Sequence, residues 1–461
     1  MKNPTVWPVW SVRRTVIPFP CDCAVGGSNL LPMTALHPGR RLTSVLAACA
    51  LVGAALAAQA PAAGAATGDS AARPATTYAR TAADKRIASA LSSRVTTTRF
   101  GSSFSGAVMD SGSNTLLWSK GGDSALMPAS TTKLVTAHNV LTTFGPAYRL
   151  TTVVRQGSAS NRVVLVGSGD PTLTSTALDA LASSTATALR AKGVRSVRVY
   201  ADDHLFPAPS LATGWKSSYV PRDITPVRAL VRSQRHVDDT TVDAAVYFRD
   251  RLGAHGVSAG YWGRARASTS AAVLASKAGY RMDTIVNQML LSSDNEHAEA
   301  LHKLVGIRLG KGASWSGAAT AQRARMVSRG LTLTALYDGS GLSRSDRLSS
   351  VQLARVVDAA FDARNSTSLA SLRSTAAMPT SGRTGTLQSD YGRFVTAEAK
   401  CAVGKVYAKT GSLSDAVSLA GWTVGQDGRV KTFAFVVNGR SSTLTLKQSI
   451  DMLAATVNGC Y

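Results

Sequence analysis

Three short motifs in this sequence carry the residue types that acyl transfer requires. A serine hydroxyl is a weak nucleophile at neutral pH, so it must lose its proton to a nearby base as it attacks a carbonyl carbon. On a helix, residues i and i+3 share a face, which brings the hydroxyl of Ser130 and the amine of Lys133 within reach of each other. Each motif occurs once, in this order: Ser130-Thr131-Thr132-Lys133, Ser293-Asp294-Asn295 and Lys409-Thr410-Gly411.

Lys133 can act as this base only if part of its amine is uncharged near neutral pH. Burial lowers the pKa of a lysine, and a second cation nearby lowers it further. Lys409 is the candidate for that second cation. A proline before Ser130 and an apolar run after it predict a helix over residues 130–142. The nucleophile would then lie at a helix N-terminus, where negative charge is stabilised.

The third motif lies in a β-rich stretch, and two further β-rich runs follow it. Such a meander can form one wall of a cleft. Helical and β-rich segments arrive in blocks along the rest of the chain and do not alternate regularly. The sequence therefore predicts an α+β fold, with helices packed on a mainly antiparallel sheet.

Together the three motifs resemble the active-site signature of penicillin-binding proteins and serine β-lactamases. The resemblance implies the fold of those enzymes, a penicillin-binding or serine β-lactamase-like transpeptidase fold. It also implies that Ser130 is the nucleophile and Lys133 its base, while Ser293, in a loop between helices, passes a proton to the leaving amine. By the same resemblance, Asn295 binds the substrate amide, and Lys409 and Thr410 bind the substrate carboxylate. Gly411 allows the substrate to approach the strand closely, and the N–H groups of Ser130 and Ser412 form the oxyanion hole.

Additional motifs resemble the class C low-molecular-mass penicillin-binding proteins, the D-alanyl-D-alanine carboxypeptidase/endopeptidase family. This resemblance implies a secreted serine peptidase that trims or cleaves peptidoglycan stem peptides through an acyl-enzyme on Ser130. It implies β-lactam antibiotics as inhibitors, and neither a cofactor nor a metal. The motifs are Gly167–Leu173, Ser292–Asn295 continuing to Ala298–Leu301, Asp338–Arg344 and Gly385–Leu387.

In that family, the loop corresponding to Asp338–Arg344 borders the pocket for the end of the stem-peptide side chain. The resemblance therefore implies that Ser340, Leu342 and Arg344 contact the substrate. Arg344 would pair with a carboxylate there, a charge-assisted contact. The alternative is that Arg344 only braces its own loop through a surface ion pair.

The long separation between Ser130 and Ser293 predicts an inserted domain. We expect a catalytic domain in two parts, residues 85–145 and 266–461, with residues 146–265 inserted between them. Members of this family often carry a second domain nested in the insert. The stretch here is too short for both, so one inserted domain is expected.

The N-terminal region predicts export from the cytoplasm. Residues 33–65 have the basic, apolar and small-residue segments of a signal peptide, residues 1–32 resemble a misannotated upstream segment, and residues 66–84 resemble a flexible tail. A lipoprotein cleavage box at Cys49 is the alternative. Export predicts a protein of the cell wall or a periplasm-like space, without a transmembrane anchor after cleavage. An isolated pair, Cys401 and Cys460, is then predicted to form a disulfide.

The formal net charge of +24 raises the question of an anionic partner. Basic residues are dispersed along the chain and no nucleic-acid recognition motif accompanies them, which argues against nucleic acid. Attraction to anionic wall polymers and simple solubility both remain open.

Other patterns in the sequence match different classes of protein less well. Gly256–Gly260 matches the nucleophile-elbow pattern around Ser258, but it follows a predicted helix, and Gly256 is expected to end that helix. His297, Glu299 and His302 lack the spacing of a zinc helix and are expected to be solvated. A catalytically weak penicillin-binding or sensor protein, and a β-lactam-hydrolysing relative, remain alternatives.

Overall fold

Two five-stranded sheets organise residues 78–461, the part of the chain that this computed structural model describes. The predicted upstream segment, the signal peptide and most of the predicted tail lie outside the described residues. The strands are β1 (Phe104–Asp110), β2 (Thr115–Lys120), β3 (Arg149–Gln156), β4 (Arg162–Val166), β5 (Ser196–Asp202), β6 (Ser258–Arg264), β7 (Val273–Arg281), β8 (Val406–Leu413), β9 (Ala416–Val424) and β10 (Val430–Asn438).

The helices of the described residues surround these sheets. The helix predicted over residues 130–142 begins as a short 3-10 helix, Ala129–Thr132, and continues as α3. The α-helices are α1 (Ala82–Arg94), α2 (Thr97–Phe100), α3 (Lys133–Phe144), α4 (Ser175–Ala191), α5 (Thr240–Ala254), α6 (Met282–Ser292), α7 (Asn295–Arg308), α8 (Trp315–Val327), α9 (Ser350–Asp358), α10 (Ala397–Lys400) and α11 (Leu444–Asn458).

The first sheet is antiparallel throughout, with the strand order β2-β1-β10-β9-β8. Helices cover both faces, so alternate residues of its central strands are buried on opposite sides. Phe433 and Phe435 pack in one cluster with α1 and α11, whereas Ala434 and Val436 pack in the other with α3 and α9. This two-sided packing fixes the position of β8, the strand that carries the third motif.

Strand β8 lies at the edge of the first sheet, and half of its outer side is already occupied. The N–H of Ala408 donates to the carbonyl oxygen of Pro379, and Thr380 bridges to Tyr407. Beyond Ala408 the outer edge passes between α3 and the short connection from α6 to α7. An unpaired strand edge is a template for an added strand.

The second sheet has the order β6-β5-β4-β3-β7, with parallel pairing between β4, β5 and β6. Helices α4 and α5 pack on one of its faces. Strands β6 and β7 were not predicted from the sequence, because neither has the apolar alternation of a half-buried strand. Most of their residues are at least partly exposed. The predicted domain boundaries stay a prediction, but this sheet continues to Arg281, beyond the expected end of the insert at 265.

The structure also bears on two smaller expectations, the end of the helix before Ser258 and the pairing of Cys401 with Cys460. Gly256 follows His255, the C-cap of α5, and has a φ of +81°, so it ends that helix as expected. Ser258 is the first residue of β6. Cys401 and Cys460 are joined by a disulfide, with their Cα atoms 6.2 Å apart. The disulfide links the end of α10 to the end of α11.

Candidate active site

Ser130 lies within the 3-10 turn that leads into α3, with its side chain partly exposed. The preceding residue, Ala129, has a φ of +48°, a left-handed conformation that residues other than glycine rarely adopt. Gly341 lies directly against this residue. A Cβ atom added to Gly341 would be 1.9 Å from the carbonyl oxygen of Ala129, so a side chain there would displace the turn that holds Ser130.

Lys133 is fully buried and its amine contacts only neutral groups. Its Nζ atom lies 3.1 Å from Oγ of Ser130, 2.7 Å from Oδ1 of Asn295 and 2.8 Å from the carbonyl oxygen of Ser340. Burial lowers the pKa of Lys133 to about 8, although the negative charges of Glu299 and Asp338 nearby oppose this change. The uncharged fraction of the amine therefore becomes substantial as the pH rises from neutral towards 8, as a base for Ser130 requires.

Ser293 lies in a two-residue connection between two helices. It ends α6 in a left-handed conformation with a φ of +63°, and Asp294 then caps α7 by accepting the N–H of His297. This sharp reversal directs the Ser293 hydroxyl to Lys409, whose Nζ lies 2.8 Å from Oγ. A strained residue held in this way is common where a side chain must be positioned for function.

Lys409 is the second fully buried lysine of the cleft. Its amine donates to Ser293 and, at 2.6 Å, to the carbonyl oxygen of Thr410. Burial lowers the pKa of Lys409 well below its usual range, and the positive charges of Lys133 and Arg393 lower it further. For Lys133, the sequence predicted both burial and the charge of Lys409 as causes of a lowered pKa; burial is the main cause in the structure.

The rest of the third motif brings β8 against the nucleophile. A Cβ on Gly411 would lie 3.0 Å from the amide nitrogen of Ser130 and 2.8 Å from the carbonyl oxygen of Pro128. Glycine is therefore required for β8 to approach the turn of Ser130. Because alternate N–H groups of a strand point to the same edge, Ser412 directs its N–H to the same outer edge as Ala408. Thr410 donates its hydroxyl to Oγ1 of Thr386 at 2.7 Å.

Comparison with known proteins shows which family this chain belongs to. The family model of the D-Ala-D-Ala carboxypeptidase 3 (S13) family matches residues 87–234 and 220–457. The chain is 30% identical over 375 residues to carboxypeptidase DacB of Mycolicibacterium smegmatis, covering 77% of this chain and 80% of that protein. It is 31% identical over 357 residues to a carboxypeptidase of Mycobacterium tuberculosis, covering 72% and 76%. The chain belongs to the S13 family.

Membership of the S13 family confirms the predicted class of enzyme, a serine-type D-Ala-D-Ala carboxypeptidase of the penicillin-binding type. The fold is confirmed as well. Penicillin-binding protein 4 of Haemophilus influenzae has a similar structure, with a TM-score of 0.67 at 18% identity, over 78% of this chain and 98% of that one.

Asn295 connects the catalytic lysine to the region inserted between α3 and α6. Its Oδ1 accepts from Lys133, and its Nδ2 donates to the carbonyl oxygen of Asp223 at 2.8 Å. Both ends of the Asn295 amide thus have hydrogen-bond partners within the chain. Binding of a substrate amide by Asn295, as expected from the sequence, would have to share or replace the contact with Asp223.

The loop Asp338–Arg344 is placed differently from the expectation for Ser340, Leu342 and Arg344. Ser340 is buried and offers Lys133 its carbonyl oxygen, not its hydroxyl, and Leu342 is buried against Trp215. Arg344 makes a bidentate pair with Asp415 at 2.7 and 2.8 Å. The structure therefore favours the alternative in which Arg344 braces its loop, because its guanidinium already has a carboxylate partner.

Sequence reasoning missed the residue that supports this loop. Glu299 is fully buried, and its carboxylate accepts the N–H groups of Gly339 and Ser340 at 2.9 and 2.7 Å. Burial, followed by the charge of Asp338, raises the pKa of Glu299. The Ala298–Leu301 motif carried the signal, but only the fold shows that Glu299 lies next to Ser340, the carbonyl partner of Lys133.

The expectation that His297, Glu299 and His302 are solvated was wrong. All three side chains are buried, because α7 is surrounded by α3, α6 and α8. Within residues 78–461 no group of three His, Cys, Asp or Glu side chains is arranged to hold a metal ion. No helix in the same part of the chain is both long and apolar enough to cross a membrane.

Proposed function

We propose that this S13 enzyme removes or cleaves after D-alanine in peptidoglycan stem peptides through an acyl-enzyme on Ser130. The observation that carries the proposal is the pair of buried lysines on either side of the cleft. Lys133 contacts the Ser130 hydroxyl and Lys409 contacts the Ser293 hydroxyl. Each hydroxyl that must exchange a proton during acyl transfer therefore has its own amine.

In the first step, Oγ of Ser130 attacks the carbonyl carbon of the penultimate D-alanine and its proton passes to Nζ of Lys133. Asn295 and the carbonyl oxygen of Ser340 hold the amine of Lys133 in position and accept its remaining N–H bonds. The N–H groups of Ser130 and Ser412 would stabilise the negative oxygen of the tetrahedral intermediate. This geometry supports Lys133 as a general base that is not itself consumed.

In the second step, the bond to the terminal D-alanine breaks, and the proton that Lys133 took from Ser130 passes through the hydroxyl of Ser293 to the leaving amine. Lys409 lies beside this hydroxyl, and Lys409 and Thr410 of β8 would bind the terminal carboxylate of the substrate. Water then hydrolyses the ester on Ser130. A β-lactam would acylate the same hydroxyl; a similar solved structure of Haemophilus influenzae penicillin-binding protein 4 is a complex with a β-lactam.

The cellular location of the enzyme follows from its proposed substrate. Peptidoglycan lies outside the cytoplasm, which agrees with the signal peptide predicted over residues 33–65. The net charge of +24 supports an additional attraction to anionic wall polymers. We infer an enzyme exported to the cell wall or an equivalent space, with stem peptides as substrates.

Acylation by benzylpenicillin tests the proposal. Intact-protein mass spectrometry should show one adduct per chain, and peptide mapping should place it on Ser130. Ser130→Ala should take no adduct, while Ser258→Ala, the matched control at the elbow-like motif, should be labelled as wild type. An adduct on Ser258 would refute the assignment. Acylation without release of D-alanine from acyl-D-Ala-D-Ala would favour the sensor alternative over the peptidase.

A further inference from the structure

The second sheet has one covered face and one open face. Val163 and Val199 belong to the covered face, where they pack in one cluster with Phe248 of α5. Side chains alternate along each strand, so Arg162 and Arg198 belong to the opposite face. These two arginines are register partners on the parallel strands β4 and β5. The helices α4 and α5 do not cover them.

Aromatic side chains accompany the arginines on this open face. The guanidinium of Arg198 lies 4.0 Å from the ring centre of Trp262, and that of Arg162 lies 5.8 Å from the ring centre of Tyr200. Trp262 is 56% exposed, which is unusual for a large aromatic residue. The open face thus presents alternating flat apolar rings and guanidinium groups to solvent.

Among the described residues, the arginines of the open face have no carboxylate partner, whereas other arginines of the same region do. Elsewhere in the insert, Arg232 pairs with Asp243, and Arg264 pairs with Asp203 and Asp239. In the described part of the chain, by contrast, no carboxylate lies within ion-pairing distance of Arg162, Arg198 or Arg266. Their positive charge is therefore available to an external anion.

A cavity of about 250 Å³ adjoins these groups. Arg162, Val164 and Tyr200 line it from the sheet, and Arg266 lines it from the segment that follows β6. Its lining includes no acidic residue. A concave site with an aromatic wall and two guanidinium groups suits a ligand that combines apolar ring faces with negative charge.

We propose that the open face of the second sheet, formed by Arg162, Arg198, Tyr200, Trp262 and Arg266, binds an anionic wall polymer that carries phosphate and sugar groups. Guanidinium groups bind phosphate oxygens in a bidentate manner, and sugar rings stack on exposed aromatic rings. The inference rests on the proposed function, since a peptidoglycan enzyme works among such polymers. Nucleic acid shares the phosphate chemistry and is an outcome of the test.

Equilibrium binding of the purified protein at fixed ionic strength tests this site. The probes are a sugar-substituted poly(ribitol phosphate), the same polymer without sugar, peptidoglycan stripped of phosphate polymers, and a single-stranded oligodeoxynucleotide. The variants are the double substitution Arg162→Ala/Arg198→Ala and the single substitution Trp262→Ala. The matched control is Lys192→Ala/Lys311→Ala, which also removes two exposed positive charges.

The double arginine variant should bind the sugar-substituted polymer at least about tenfold more weakly than wild type, because two charge-assisted contacts are lost. The lysine control should stay within about twofold. Trp262→Ala should lose the preference for the polymer with sugar over the polymer without it. Adduct formation with benzylpenicillin and the melting temperature, measured on every variant, should match wild type and so exclude misfolding.

Two results would overturn the proposal: equal affinities of the arginine variant and the lysine control, or binding of stripped peptidoglycan or the oligonucleotide as tightly as the polymer. The proposed function fails separately. A wild-type protein that binds the polymer but takes no benzylpenicillin adduct would refute the catalytic assignment and leave the binding site supported.

Discussion

Two fully buried lysines, one at the cleft and one in the first sheet, show that the hydrogen-bond partners of a buried amine decide the direction in which its pKa shifts. At the cleft, Lys133 is fully buried and contacts only hydroxyl, amide and carbonyl oxygens, and its pKa falls to about 8. Away from the cleft, Lys431 is equally buried but donates to Asp84, Asp110 and Asp427 at 2.8, 2.8 and 3.0 Å. Burial lowers the pKa of Lys431, but these bonds outweigh it and raise that pKa.

The difference separates a reactive amine from a structural one. A buried amine without a carboxylate partner can release its proton near neutral pH, so it can serve as a base. A buried amine among carboxylates keeps its proton and joins elements that are distant in the chain, here α1, β1 and β10. A fully buried lysine therefore has two different roles in this molecule, and substitutions should distinguish them.

The largest effect is expected for activity at Lys133. Lys133→Met removes the base, so acylation of Ser130 by benzylpenicillin should slow by about 10²–10⁴-fold. Lys431→Met, the matched substitution, should leave the acylation rate of the folded protein within a few fold of wild type. The measurement is the rate of adduct formation by mass spectrometry. Equal acylation rates for the two variants would contradict the distinction between a reactive Lys133 and a structural Lys431.

The free energy of unfolding should fall more in the Lys431 variant than in the Lys133 variant. Lys431→Met removes the buried cation between Asp84 and Asp110 and leaves them only the partly exposed Arg429, so it should lower the free energy of unfolding by up to about 3–5 kcal/mol. Lys133→Met leaves only neutral partners and should cost less. Denaturant unfolding of both variants gives the comparison. A smaller loss at Lys431 than at Lys133 would show that the carboxylates there do not need the amine.

A smaller effect is expected at Glu299, which acts on Lys133 through the loop and not by contact with the substrate. Glu299→Gln replaces one acceptor oxygen with a donor that faces an N–H group, so Ser340 should shift away from Lys133. We expect acylation about tenfold slower, with the pH midpoint of the rate displaced from that of wild type.

The control for Glu299 is Glu296→Gln on the same helix. Glu296 also carries negative charge near Lys133, but the amides of Gly339 and Ser340 bond to Glu299 instead. A similar displacement of the pH midpoint in both variants would mean that Glu299 acts only through its charge. An unchanged midpoint in Glu299→Gln would contradict its positioning role.

The smallest effect is expected at Arg344, whose pair with Asp415 is partly exposed. Arg344→Ala should lower the free energy of unfolding by about 0–1 kcal/mol, since exposed ion pairs contribute little. The kcat/KM ratio for D-Ala-D-Ala substrates with and without a free side-chain carboxylate should stay as in wild type. A selective loss on the carboxylate-bearing substrate would restore the recognition role expected from the sequence.

Sequence reasoning succeeded where the relevant partner lies close in the chain. The contact between Ser130 and Lys133 follows from helical spacing, and the loop position of Ser293 follows from the interruption between two apolar periodic segments. It failed where the partner depends on the tertiary fold. Arg344 pairs with Asp415, 71 residues away in the sequence, and the burial of His302 depends on the packing of three helices around α7.

The strands β6 and β7 were missed for a related reason. Their residues are mostly small or polar, and their place in the sheet comes from pairing with β5 and β3. Local pattern carries little information about such edge strands. The open face of the second sheet, which depends on strand register, could not have been anticipated from the sequence.

The pH dependence of Ser130 acylation at saturating benzylpenicillin tests the central claim most directly. Only the uncharged amine of Lys133 can accept the serine proton, and its fraction rises as pH increases through the pKa of about 8. The account predicts that the acylation rate rises between about pH 6 and pH 9 with a midpoint near 8, and that Lys133→Met loses this dependence. A rate that stays constant or falls over this range would contradict the assignment of Lys133 as the base.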